Sequence, residues 1–502
     1  MRRAGPAAGC WASDRPARAS PTRVSTPAIP ARPPVRLSVR RSPSATASRR
    51  VDRVHLVLLG LIVVGGALLR LRWLGEPMRW DEAATFQKYA LGSVGHIVET
   101  YDRPNNQILY SLLTHFSLGI FGHAVWVVRL VAFVAGIAII PASYLAARRL
   151  FDPVAGLWAA ALTATAAPLV DYSVNGRGYT LGALFTLLAL WLGTRLIERG
   201  SRWEWAAFVL CCVLAVYTVP TMAIGVTIVG LWMIIKDRRI AFRLALALAA
   251  AAALSLLLYS AALGQTGWDA VTPLAREWGS VTGLAGDVFA NWNRAAPHPL
   301  DWLIAAGFVA SLFVDWRLAA ASTAVLLGVI FLGPIAPFVR SWLFLLPLYL
   351  IQAAAGLAWA TRRAGVTAPA IAAVVLAIAL VSTGLRSTDV PPVTDNDIVA
   401  LLKKYTPPHE HVLIDRYAAA PTHYYYYERH GDPGLETTAI RSGDRATRHM
   451  VVVVPRGTSP IETVYKAGGI ADGPARLLAG RKWIDIYDVP LLRNAEARRL
   501  RN

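Results

Sequence analysis

The stretch AVWVVRLVAFVAGIAIIPASYLAARRLFDPVAGLWAAALTATAAPLVDY, residues 124–172, decides the fold of this chain. It holds two apolar runs, each long enough to cross a bilayer, joined by the basic turn Arg148-Arg149 and little else. Such runs persist in lipid only as helices, because the backbone must satisfy its own hydrogen bonds there. The same pattern recurs outward in both directions, with apolar spans expected at 54–72, 124–147, 154–172, 179–198, 203–219, 221–236, 240–262, 299–314, 317–334, 341–360 and 366–384. That makes about eleven crossings, with 221–236 and 299–314 short enough to need tilting or extension by their neighbours.

The composition agrees. Across 502 residues 55% are hydrophobic and only 16% charged, with a mean hydropathy of +0.43, which excludes an ordinary soluble enzyme. The net charge of +20 is concentrated in residues 1–50, where eleven arginines face one acid, Asp14. A basic tail beside an apolar anchor marks the cytoplasmic side of a membrane and leans on anionic lipid, so the charge is no argument for nucleic acid. Residues 1–50 lack hydrophobic periodicity and read as a disordered cytoplasmic tail. Val54–Leu69 reads as an uncleaved signal anchor, since it lies far from the start and lacks a small-residue cleavage site. Three cysteines, Cys10, Cys211 and Cys212, make no disulfide framework and suggest no redox or zinc role.

Orientation follows from the joints. With the N-terminus inside, the inner joints are Arg148-Arg149, Arg195–Arg202, Lys236–Arg243, Arg317 and Arg362-Arg363, all basic. This parity makes Ile108–Phe121, about fourteen residues, an interfacial or half-inserted helix. The outer joints are then Trp73–Gln107, Asp171–Gly178, Gly264–Pro297 and Pro337–Ser341. Residues 387–502 fall outside and change character, with strand-like runs at Val412–Asp415, Val451–Val454 and Trp483–Val489 and helical patterns at Asp397–Tyr405, Pro421–Arg429 and Pro460–Lys466. Such alternation indicates a small α/β domain. The expected organisation is a tail (1–50), a membrane domain (51–386) and an extracytoplasmic domain (387–502) in a multi-pass protein of the plasma membrane.

Two polar clusters interrupt the outer joints. The first is Arg79-Trp80-Asp81-Glu82, followed by Tyr101-Asp102-Arg103-Pro104-Asn105-Asn106-Gln107. Adjacent carboxylates at a membrane surface can supply a base for an acceptor hydroxyl. The plainer reading has Asp81 capping an interfacial helix with Glu82 in its first turn. The second cluster is Asp171-Tyr172-Ser173-Val174-Asn175-Gly176-Arg177-Gly178-Tyr179. There Arg177 is either a lipid-phosphate ligand or a snorkelling interfacial arginine. Arg129, inside its span, is expected to face a polar cavity, and Arg340 is a candidate of the same kind. Tyr179, Asn175 and Asn106 are the candidate substrate contacts. His298 could ligate a divalent metal with Glu82, but a lone loop histidine is no metal signature, and no cofactor is called for.

In the order of these features the chain resembles the GT-C glycosyltransferases that use polyprenyl-phosphate sugars, and among them the protein O-mannosyltransferase-like group, glycosyltransferase family 39. The features are a basic first anchor, the Asp81-Glu82 pair, a second acid, Asp102, before ILYSLL (Ile108–Leu113), LGIFG (Leu118–Gly122), Arg129-Leu130, LAARRLF (Leu145–Phe151) and Arg177-x-Tyr179. The resemblance covers roughly 54–386. It implies a GT-C fold, mainly α, with Asp81 as general base, Glu82 beside it and Asp102 as a further catalytic acid, and Arg177, Arg129 and Arg340 toward the donor phosphate. The implied reaction moves a mannose-like hexose or a pentose from a polyprenyl-phosphate donor, with inversion, to a lipid, glycan or protein acceptor of the cell envelope. Two departures bear on metal use and sugar identity: Asn105-Asn106-Gln107 stands where relatives often have a histidine before Pro-Pro-Leu, and Asn175 where many have glutamate. The rival readings are a lipid-linked sugar transporter or flippase, for which repeated halves and broken helices would speak, and a catalytically inactive GT-C-like binding protein.

Overall fold

A computed structural model describes residues 45–75, 78–101, 106–266, 300–332, 339–363, 404–405, 412–415, 448–480 and 484–492. Expectations for the tail before residue 45, Asp102, Asn105, His298, the span 366–384, the helical pattern 421–429 and most of that at 397–405 lie outside the described residues.

The membrane region is a bundle of helices: α1 (Ala45–Leu71), α2 (Trp80–Thr85), α3 (Val94–Glu99), α4 (Ile108–Phe121), α5 (Val125–Leu150), α6 (Pro153–Thr165), α7 (Ala167–Ser173), α8 (Tyr179–Arg199), α9 (Arg202–Thr218), α10 (Met222–Lys236), α11 (Ala241–Thr266), α12 (Leu300–Ser311), α13 (Arg317–Leu332) and α14 (Leu345–Arg363). Four of them, within α1, α5, α8 and α11, are long and apolar enough to span a membrane alone, and the bent pair α6–α7 makes a fifth if taken as one span. On α1 the apolar side chains Leu56, Val57, Leu61, Val64 and Leu68 are exposed while Ile62 and Leu69 are buried. An outward face as apolar as the core is what lipid, not water, requires.

Helices approach closely where side chains are small. A Cβ on Gly136 of α5 would fall 1.9 Å from Ser173 Oγ on α7, and one on Gly356 of α14 would fall 1.8 Å from the Gly307 carbonyl of α12. The main core gathers Trp158, Leu190, Phe208, Met222, Trp232 and Leu350, among others, from α5 through α14.

The expected span 154–172 is broken, bending by 59° between α6 and α7. Pro168 has no N–H to offer the carbonyl of Ala164, so the helix cannot continue its ladder there. Arg70, wholly buried at the end of α1, takes up the freed oxygens: Nη1 donates to Ala164 O at 2.8 Å and Nη2 to Thr163 O at 3.3 Å, while Nε donates to Ser173 Oγ at 3.0 Å. The sequence reading found no broken helix, and this one corrects it.

The joints sort into two sets. Arg149 pairs with Glu198 at 2.5 Å, Arg362 with Asp152 at 2.7 Å and Lys236 with Asp315 at 2.5 Å, so the joints read as inner from their charge lie together at one end of the bundle. Trp73–Gln107, Asp171–Gly178 and Arg340 meet one another at the other end.

Toward the C-terminus β1 (Val412–Ile414), β2 (His449–Pro455), β3 (Arg476–Gly480) and β4 (Ile484–Pro490) form one sheet in the order β1-β2-β4-β3. β1 runs parallel to β2, and the other pairs are antiparallel. Helix α15 (Pro460–Lys466), capped by Ser459, packs Val464 with Val452, Val454 and Val489. The edge strand β3 was not expected, and its largely exposed RLLAG carries no alternating pattern.

Candidate active site

The site is built on α2. Its N-cap is Arg79, not Asp81, and the residue that turns back on the cap is Glu82 at the third position, whose Oε2 accepts from the Arg79 backbone N–H at 2.7 Å. The expectation that Asp81 caps the helix is therefore corrected: the cap is Arg79, two residues earlier, and Glu82, in the first turn as expected, is the acid that engages it.

That register divides the labour of the two carboxylates. Glu82 is fully buried and saturated. Oε1 accepts from Arg129 Nε at 2.8 Å and from the Gly176 amide, and Oε2 from Arg129 Nη2 at 2.9 Å and from Arg79. Burial by itself would raise its pKa, but the Arg129 guanidinium and the Arg79 amide overcome it and hold the group below the usual carboxylate range. Four donors leave no lone pair to receive a proton from a substrate. Arg129 in turn donates to the carbonyls of Trp73 at 3.3 Å and Leu74 at 3.1 Å. Instead of facing a polar cavity, as its position suggested, Arg129 ties the end of α1 to α2.

Asp81 is different. Its side chain is 24% exposed and meets Arg340, Oδ2 to Nη1, at 2.9 Å. Behind it the backbone is fixed, since Asp81 O accepts from Thr85 Oγ1 at 2.9 Å and from Arg177 Nη1 at 3.4 Å. Arg177 is only 1% exposed, so it does not snorkel; its Nη1 also donates to Thr85 Oγ1 at 2.8 Å and its guanidinium stands 5.6 Å from the Tyr179 ring.

The loop Asn175-Gly176-Arg177-Gly178 that carries Arg177 is gripped on both sides. Glu82 accepts from the Gly176 N–H and Gln107 Oε1 from the Gly178 N–H. A Cβ on Gly176 would stand 3.2 Å from Glu82 Oε1, and one on Gly178 2.6 Å from Thr218 and 2.9 Å from Tyr110, so glycine is what lets the backbone come this near. Gln107 thus has a definite task, holding the Gly178 amide. Asn106 is engaged too: Nδ2 donates to Ile97 O at 2.9 Å and Thr100 O at 2.5 Å, and Oδ1 accepts from Ser111 Oγ at 2.9 Å, which ties α3 to α4. Asn175 is 6% exposed. Of these two expected substrate contacts, Asn106 is a buried tie between helices, and Asn175 is buried with no hydrogen-bond partner for its Oδ1 among the described residues.

Two participants escaped the sequence reading. Arg79, 24% exposed, grips Asp171 with both arms of its guanidinium, one at 2.9 Å. Tyr172 lies edge-on to Tyr179 with ring centroids 5.5 Å apart. The accessible face of the site is therefore Asp81, Arg340, Arg79, Asp171 and Tyr172, with Glu82, Arg129, Arg177, Gln107 and the buried Tyr179 behind it. Among the described residues no cluster of three or more His, Cys, Asp or Glu side chains could hold a metal ion.

This architecture has counterparts. The sequence model of the family described as dolichyl-phosphate-mannose-protein mannosyltransferase matches residues 102–264. Among solved structures, ArnT from Cupriavidus metallidurans in the apo state superposes with a TM-score of 0.61 at 12% identity, over 87% of this chain and 98% of that one. The same protein bound to undecaprenyl phosphate gives 0.58 at 13% identity, over 85% and 97%. The apo oligosaccharyltransferase of Archaeoglobus fulgidus gives 0.50 at 12%, over 80% and 69%. The sequence matches no curated protein. The chain thus shares the fold of ArnT, and its residues 102–264 match the mannosyltransferase family model, in line with the resemblance that the order of its motifs carries.

Proposed function

We propose that the protein transfers a sugar from a polyprenyl-phosphate donor to an acceptor hydroxyl at the membrane surface, with Asp81 as general base. The observation that carries this reading is the contrast between adjacent acids: Glu82 is saturated and buried, whereas Asp81 is partly exposed, fixed at its backbone and held through its carboxylate by the partly exposed Arg340. A phosphate-linked sugar has a good leaving group, so one base suffices, where a glycosidase needs two working carboxylates. The acceptor oxygen attacks the anomeric carbon as its proton passes to Asp81. The bond from that carbon to the phosphate oxygen breaks with its electron pair on the departing polyprenyl phosphate, and the configuration inverts. Arg340, 30% exposed, is the arginine placed to meet the phosphate, because Arg129 is committed to Glu82 and Arg177 is enclosed. The mannosyltransferase pattern in residues 102–264 and the likeness to a structure holding undecaprenyl phosphate support the donor class. The sugar on this reading is a mannose-like hexose or a pentose, and the acceptor a lipid, glycan or protein.

On this reading the chain crosses about eleven times, with the site on the extracytoplasmic face and the C-terminal α/β region outside; the basic joints gathered at one end of the bundle support a cytoplasmic side for that end. A purified sample in nanodiscs, given a polyprenyl phosphate carrying a radiolabelled sugar together with envelope extract, should release polyprenyl phosphate and label an envelope component. Absence of both label transfer and donor retention contradicts the proposal.

A further inference from the structure

We propose that the Asp81–Arg340 ion pair is a latch: Arg340 occupies the base in the resting protein, the donor phosphate takes Arg340 in its place, and Asp81 becomes available to the acceptor only once donor is bound. This rests on the reading of the site given above. Three ion pairs meet at this end of the bundle, and they differ in how they are made. Glu82–Arg129 is two-pronged and buried at both partners. Asp171–Arg79 is two-pronged and partly exposed. Asp81–Arg340 is partly exposed at both partners, with Arg340 Nη1 2.9 Å from Asp81 Oδ2, on the acid read here as the base. It is a contact that a competing anion can reach.

The exchange follows from the chemistry of the groups. A phosphate presents several charged oxygens to a guanidinium fork and so competes with a carboxylate for it. Arg340 sits on a short 3-10 turn, Val339–Trp342, and also reaches the Tyr179 side chain, so a swing away from Asp81 leaves it tethered at the same face. A carboxylate held by a cation is a poorer proton acceptor than one released from it. Order of binding is then built into the site: without donor the base is masked, and with donor the same cation stabilises the leaving group while the base is freed.

The test is equilibrium binding of undecaprenyl phosphate to the full-length protein in nanodiscs, through the cycle of wild type, Asp81→Asn, Arg340→Gln and the double variant. Arg340→Gln should weaken binding about tenfold or more, as expected for loss of a charge-assisted hydrogen bond. Asp81→Asn should tighten it about threefold, because a competitor worth up to about 1 kcal/mol is gone. In the Arg340→Gln background Asp81→Asn should change nothing. Equal tightening in both backgrounds would mean simple repulsion between Asp81 and the phosphate and would overturn the latch, as would no tightening at all. If Arg340→Gln does not fold, Arg340→Met takes its place in the cycle with the same expectations. Wild type that binds no undecaprenyl phosphate removes the donor reading itself, an outcome distinct from a failed cycle.

Discussion

The two ends of the bundle use the same ions differently. At the basic end Arg149–Glu198, Arg362–Asp152 and Lys236–Asp315 are pairs with at least one partner well exposed, fastening joints that hydropathy had already placed side by side. At the other end Glu82–Arg129 is wholly buried, with every oxygen of the carboxylate occupied, and next to it Asp81 is left accessible. Exposed pairs contribute little to stability, while a buried pair fixes geometry and is destructive to halve. On the proposed function, the acid most tightly held is the scaffold and the acid less tightly held is the one that does chemistry.

Breaking the buried pair should have the largest effect on stability. Glu82→Leu leaves Arg129 buried without its carboxylate and releases the Gly176 amide, and should lower unfolding stability by about 3–5 kcal/mol, read as thermal melting in detergent. Because the folded pKa of Glu82 is depressed, its contribution is complete above the unfolded value near about pH 4.3 and is lost as pH falls through the lower, folded value. Wild type should therefore melt earlier in that acid window, and Glu82→Leu should show a shallower acid dependence there. A flat wild-type profile down to about pH 3 would break the contrast between the two ends.

Arg70→Leu should come next, at about 1–3 kcal/mol, since it strands the Ala164 and Thr163 carbonyls at the break between α6 and α7. An unchanged melting temperature would show that the break holds itself. The smallest effect belongs to the basic end, where Arg149→Gln should change stability by less than about 1 kcal/mol. A loss there as large as that of Glu82→Leu would erase the distinction.

Much of the fold was legible because hydropathy is a local signal, and ten of the expected spans have a described helix in place. The break in 154–172 was written in Pro168 but masked by an otherwise unbroken apolar run. The site was legible as residue types and not as roles. Helix starts are uncertain by a residue or two, and one residue separates Asp81 from the Glu82 that engages the cap. The partners that decide the matter are remote in the chain: Arg79 finds Asp171 92 residues on, and Asp81 finds Arg340 from another helix pair altogether. Spacing cannot show such pairs, because they are set by packing at the end of the bundle.

The central claim, that Asp81 does the chemistry and Glu82 the architecture, is tested most directly by the turnover of Asp81→Asn with a polyprenyl-phosphate sugar, measured beside its melting temperature. The side chain keeps its shape but accepts no proton, and only a partly exposed ion pair is lost. The expected result is kcat lower by about 10² to 10⁴-fold with stability within about 1 kcal/mol of wild type. Full turnover in Asp81→Asn would contradict it.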